Sequence, residues 1–170
     1  VPEWAVEALT ADKSNELKIQ INTLDPKKWK LQYPGRKADD PEKLVNSFVN
    51  SFTRGIYTVL KIAPIIPGLI TLDDVFSVVN RLQNWTPEIE ICFAYFRDED
   101  FQQVNKNIVS QVREFFYEKD GIWKVNDDYR LSFLERLHKY ADGQKLKLNI
   151  LNEPIESGED VEVINFGKEK

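Results

Sequence analysis

A chain of 170 residues with 42% hydrophobic and 12% aromatic residues has the material for one full core, and its 30% charged residues suit a water-facing surface. A net charge of −5 excludes generic whole-surface attraction to nucleic acid. One histidine, one cysteine and no methionine exclude more: any triad must use His138, any Cys–His pair must use Cys92, and a zinc site of Cys and His lacks ligands.

Residues 1–12 read as an N-terminal arm or short helix anchored by Trp4. Leu17, Ile19 and Ile21 alternate with Lys18, Gln20 and Asn22, the period of a half-buried strand. After a turn at Asp25-Pro26, Trp29, Leu31 and Tyr33 alternate with Lys28, Lys30 and Gln32, which predicts a second strand and a hairpin. Asp40-Pro41-Glu42 is a helix start, and Leu44, Val45, Phe48, Val49, Phe52, Ile56, Val59 and Leu60 continue at helical spacing until Pro64. Thr71 to Asp74 opens another helix with a capping box, its apolar face being Leu72, Val75, Phe76, Val79 and Leu82.

Ile89 to Phe96 is apolar on both faces apart from Glu90, as a central strand would be. Asp98 caps a predicted third helix with Phe101, Val104, Ile108, Val112 and Phe115 inside, ended by Asp120-Gly121. Ile122 to Val125 is a short strand or link. Asn126 or Asp127 caps a fourth helix carrying Phe133, Leu134, Leu137 and Ala141, closed by Gly143. Leu146, Leu148 and Ile150 alternate with Lys145, Lys147 and Asn149 as a further strand, and Val161 to Phe166 forms the last. The order ββααβα(β)αββ predicts one α+β domain over residues 1–170, with four main helices, a mixed sheet of five or six strands and an acidic flank at 153–170.

The most apolar region, Ile56 to Val79, contains Lys61, Asp73 and Asp74, and its unbroken run is far short of the ~20 residues that cross a bilayer. A lone cysteine forms no internal disulfide, so a reducing compartment such as the cytoplasm is expected. The opening Val1-Pro2-Glu3, without an initiator methionine, points to a processed or excised product.

Three places carry functional expectations. The stretch Ile62 to Ile70 reads as an interhelical connector that is apolar where connectors are usually polar. Pro64, Ile65, Ile66, Pro67 and Leu69 would anchor a protein partner or a second copy if exposed, and fill the core if buried. The second is a lysine-rich sheet face of Lys18, Lys28, Lys30, Lys145 and Lys147, able to hold phosphates or nucleic acid, or simply to keep strands soluble. The third is the acid cluster Asp98, Glu99 and Asp100, of which Asp98 and Asp100 together with Glu90 suggest a metal-dependent phosphoesterase, although acids at a helix start also answer the dipole.

His138 borders an apolar helix face, Cys92 sits among apolar neighbours, and the seven glycines form no phosphate loop. The sequence alone therefore implies no catalytic residue, no cofactor and no metal. It favours a non-enzymatic binding module acting through the apolar connector, with phosphate or nucleic-acid binding as the alternative and the phosphoesterase third.

Overall fold

The computed structural model of the chain describes residues 1–12, 14–32, 40–85, 88–98, 101, 112–145 and, as backbone, 147–150. Its elements are α1 (Glu3–Ala11), β1 (Leu17–Gln20), α2 (Pro26–Gln32), α3 (Pro41–Thr53), β2 (Thr58–Ile65), α4 (Leu72–Leu82), β3 (Glu88–Phe93) and β4 (Tyr95–Arg97). A 3-10 turn (Arg113–Phe115) then leads into β5 (Phe116–Lys119), β6 (Ile122–Val125), α5 (Asp127–Gln144) and β7 (Lys147–Ile150). A four-stranded parallel sheet has the order β1-β2-β3-β7, and a three-stranded antiparallel sheet the order β4-β6-β5. The α+β class holds, with helices and strands mixed in one compact domain.

Helix starts follow side-chain chemistry. Asp40 accepts from the Glu42 amide at 3.0 Å with Pro41 in the first turn. Thr71 and Asp74 form the reciprocal capping box of α4, and Asn126 accepts from the Tyr129 amide at 2.9 Å to begin α5. Each satisfies a donor that the helix leaves unpaired. The inner faces of these helices join the sheet in one core: Val45 and Phe48 from α3, Val75, Val78, Val79 and Leu82 from α4, Phe133, Leu134 and Leu137 from α5. Against them lie Leu60, Ile62, Ile89, Ile91 and Phe93 of the parallel sheet.

Four expectations are corrected. The predicted second strand is helix α2: Asp25 accepts from the Lys27 amide at 2.7 Å, and Pro26 fits the first turn. Trp29 is buried while Leu31 is exposed, a division that a strand carrying both on one face cannot make. The long helix from Asp40 stops at Thr53, where Gly55 takes φ +81°. The β-branched Thr58, Val59 and Ile62 then extend into β2, whose flanks are strands β1 and β3.

The apolar stretch after it is therefore a strand end and a tight turn, not a connector between helices. Ile70 donates back to the Ile66 carbonyl at 2.8 Å. Ile65 is fully buried, Ile66 is 6% and Leu69 9% exposed, Pro67 is buried and Pro64 half-buried. These five side chains fill or border the core and offer no apolar docking face.

Residues 113–125, expected to continue a helix up to Asp120, form instead the 3-10 turn and the β5–β6 hairpin; Val104 and Ile108 lie outside the described residues. Asp120 (φ 55°) and Gly121 (φ 76°) form its two-residue loop, the geometry that suits hairpin twist. The expected strand at Val161 to Phe166 also lies outside the described residues.

Gly68 holds φ +79°, and a Cβ there would stand 3.1 Å from Val112 Cγ1. Gly68→Ala is expected to lower unfolding free energy by about 2 kcal/mol, combining left-handed strain with the crowded contact. Gly55→Ala, at φ +81° with open space around it, should cost only about 1 kcal/mol. Urea unfolding of the two variants checks the difference.

Candidate functional site

Residues in register on parallel neighbours share a sheet face. On one face Ile19, Leu60 and Ile89 line up beneath the helices. On the other, Gln20 is in register with Lys61 and Lys61 with Glu90, and Lys18 lies on the same side two residues before Gln20. Lys147 and Asn149 occupy the register positions beside Glu88 and Glu90. One side of the parallel sheet is thus largely polar, interrupted on β2 by the buried Val59 and Ala63, an arrangement that costs desolvation unless the polar groups are paired or occupied.

Glu90 is the centre of that face and only 5% exposed. Its Oε1 receives Lys18 Nζ at 2.5 Å, and the same ammonium lies 2.9 Å from Glu16 Oε1. The Glu90 carboxylate, then that of Glu16, hold the Lys18 ammonium above its ordinary pKa. Glu90 Oε2 is buried with no hydrogen-bond partner among the described residues. Lower on this face Tyr57 donates to Glu88 Oε2 at 2.7 Å, and that carboxylate, with burial, pushes the phenol up to about 12.

The carboxyl ends of β1 and β2 carry a second polar group, fully bonded. Asn22 and Thr23 are buried completely. Asn22 Nδ2 donates to the Pro64 carbonyl at 2.7 Å and to Gln32 Oε1 at 2.5 Å. Thr23 Oγ1 donates to Asp74 Oδ1 at 3.0 Å, and Lys28 Nζ reaches Asp74 Oδ2 at 2.5 Å. Burial acts to raise the Asp74 carboxyl, yet the bonds from Lys28, Thr71 and Thr23 outweigh it and hold the group below the usual value. This network ties β1, α2, β2 and α4 together at the end where open α/β sheets place ligands.

Nearby, a cleft of about 260 Å³ opens between the start of α4 (Thr71, Leu72, Asp73) and the first turns of α5 (Tyr129, Ser132, Phe133, Arg136). Its floor is firm, because Phe133 packs edge-on against Phe93 with ring centres 5.6 Å apart.

The five predicted lysines do not assemble. Lys18 is on edge strand β1 and Lys147 on the opposite edge strand β7. Lys28 and Lys30 belong to helix α2, and Lys145 is the left-handed cap that ends α5. The metal reading fares no better among the described residues: Asp98 follows β4 and accepts from Trp123 Nε1 at 2.9 Å, while Glu90 lies on the other sheet. Asp100 falls outside the described residues, and no group of three metal-ligating side chains occurs among those described. His138 Nε2 lies 3.4 Å from Asp142 Oδ2, one turn along α5. Cys92 is half-buried and alternates onto the polar face with Glu88 and Glu90. That alternation was the available signal for the face, obscured because Ile89, Ile91 and Phe93 dominate the segment.

No family model matches the chain. It is 27% identical over 81 residues to a radical SAM Nalpha-GlyT isomerase of Pseudomonas phage M6, a match that spans 48% of this chain and 16% of that protein. Streptococcus suis SuiB has a similar fold: its crystal structure shares a TM-score of 0.55 at 14% identity over 91% of this chain and 30% of SuiB. The structure of SuiB bound to S-adenosylmethionine gives the same TM-score over 31% of its chain. The chain therefore spans less than a third of the length of each of these proteins. The sequence similarity to the phage isomerase overturns the expectation of a non-enzymatic protein-binding module, while the likeness to SuiB concerns the fold. Among the described residues no helix is long and apolar enough to cross a membrane.

Proposed function

We propose that this chain supplies a ligand-binding sheet to an S-adenosylmethionine-dependent radical enzyme, with binding on the polar face of β1, β2 and β3 and at their carboxyl ends. The sequence similarity to the phage isomerase is the observation that carries it. The polar face of an otherwise close-packed parallel sheet supports it, because such a face is stable only when its charges find partners. In radical chemistry of this kind the cofactor performs the reaction, and the protein binds, orients and excludes water.

The donor set bears on what the chain itself contributes. Iron–sulfur centres are held by several cysteine thiolates, and these 170 residues contain one cysteine, Cys92, half-buried on β3. They do not fit such a centre. Binding and orientation are what Lys18, Lys61, Glu90 and the bonded carboxyl edge can perform.

Calorimetric titration of the chain with S-adenosylmethionine tests the reading. A saturable isotherm is expected, with amide shifts by NMR concentrated on β1 to β3. Absence of heat and of shifts at millimolar ligand would end it.

A further inference from the structure

Among the described residues Glu90 Oε2 is a buried carboxylate oxygen that accepts no hydrogen bond. Buried carboxylate oxygens almost always accept a hydrogen bond, since leaving one bare forfeits its solvation. Oε1 is taken by Lys18, and Oε2 accepts from nothing among the described residues. Its register neighbour Lys61 is half-buried and makes no ion pair among the described residues. An acceptor and a cation thus sit side by side on adjacent strands of one face, neither engaged by the other.

From this juxtaposition we propose that Glu90 and Lys61 receive the α-amino-acid head group of a substrate, its ammonium on Glu90 Oε2 and its carboxylate on Lys61 Nζ. The inference deepens the reading above and rests on its choice of face. Charge selects the ligand class. A simple cation would meet Lys61 as well as Glu90, and a simple anion would meet Glu90 as well as Lys61. A zwitterion presents an opposite charge to each group at once, and an α-amino acid carries the two on a single carbon, compact enough for residues paired in register on neighbouring strands. The surrounding titratable groups keep this balance: Glu16 and Glu90 share Lys18, and Glu88 accepts from Tyr57.

The test is an amide-shift titration of the full chain with three probes: glycine, N-acetylglycine, which lacks the ammonium, and glycinamide, which lacks the carboxylate. Glycine is expected to move the Lys61 and Glu90 amides with a Kd at least ten-fold lower than either blocked probe. Glu90→Gln should erase its advantage over N-acetylglycine, and Lys61→Met its advantage over glycinamide. Equal Kd values for the three probes on the wild-type chain, or shifts elsewhere, overturn the proposal even if a variant fails to fold. S-adenosylmethionine titrated in parallel separates the two readings. Its binding without glycine selectivity removes this inference alone, and glycine selectivity without its binding removes the cofactor assignment alone.

Discussion

Replacing Ile65 and Ile66 together by Asp is expected to abolish the cooperative thermal transition of the chain. Ile65 is completely buried at the end of β2 and Ile66 is 6% exposed, with Leu69 and Ile70 of the following turn packed into the same core. A buried charge without a partner costs several kcal/mol, and two approach the whole of a typical ~5–15 kcal/mol stability. Leu131→Asp, on a residue 55% exposed on α5, should leave the melt unchanged. Circular dichroism melts of the three proteins decide it, and a double variant that melts with the wild type would place this segment outside the core.

The second large effect belongs to Asp74. Asp74→Ala removes one half of the α4 capping box and the partner of both Thr23 and Lys28. A lost cap and a lost charge-assisted bond together predict about 2–4 kcal/mol, toward the lower value because Lys28 is partly exposed. The pH dependence follows from the depressed carboxyl. A group whose folded pKa lies below its unfolded value gives its full stabilisation above the unfolded value, about 3.9, and loses it as pH falls through the folded one. The stability gap between wild type and Asp74→Asn should therefore be constant near neutrality and narrow below about pH 4. A gap that widens in acid would contradict the network.

Much of this architecture was legible in the residues. The α4 box, the Asp40 and Asn126 caps and the strands at Leu17, Ile89 and Lys147 all carry local chemistry that the fold respects. The failures have physical causes. Trp29, Leu31 and Tyr33 alternate over too few positions to outweigh the Asp25-Pro26 helix start. Ile56, Val59 and Leu60 fell on the helical period of α3 by coincidence, while β-branching and Gly55 assigned them beyond it. Asp120-Gly121 can end a helix or turn a hairpin, and the pairing of Lys119 with Ile122 chose the hairpin.

The site was harder to see than the fold. Lys18, Lys61 and Glu90 are distant in sequence, and only the parallel register brings them to one face. Of the five lysines the sequence singled out, Lys18 and Lys147 do sit at register positions of that face, whereas Lys28 and Lys30 belong to α2 and Lys145 caps α5. The similarity to the phage isomerase, which no motif disclosed, supplied the direction toward an enzyme.

The strand order also sets a timetable. β1, β2 and β3 pair in the order in which they leave the ribosome, but β7 must wait for the intervening antiparallel sheet and α5 before it can dock on β3. The β5–β6 hairpin closes through two residues and needs only local contacts, whereas Glu88 finds Lys147 across a loop many times longer. Closing long loops for parallel pairing is the slow part of folding. Until that late event the β3 edge stays open, so the nascent chain is most exposed to sticking to its neighbours at the strand that carries Glu90.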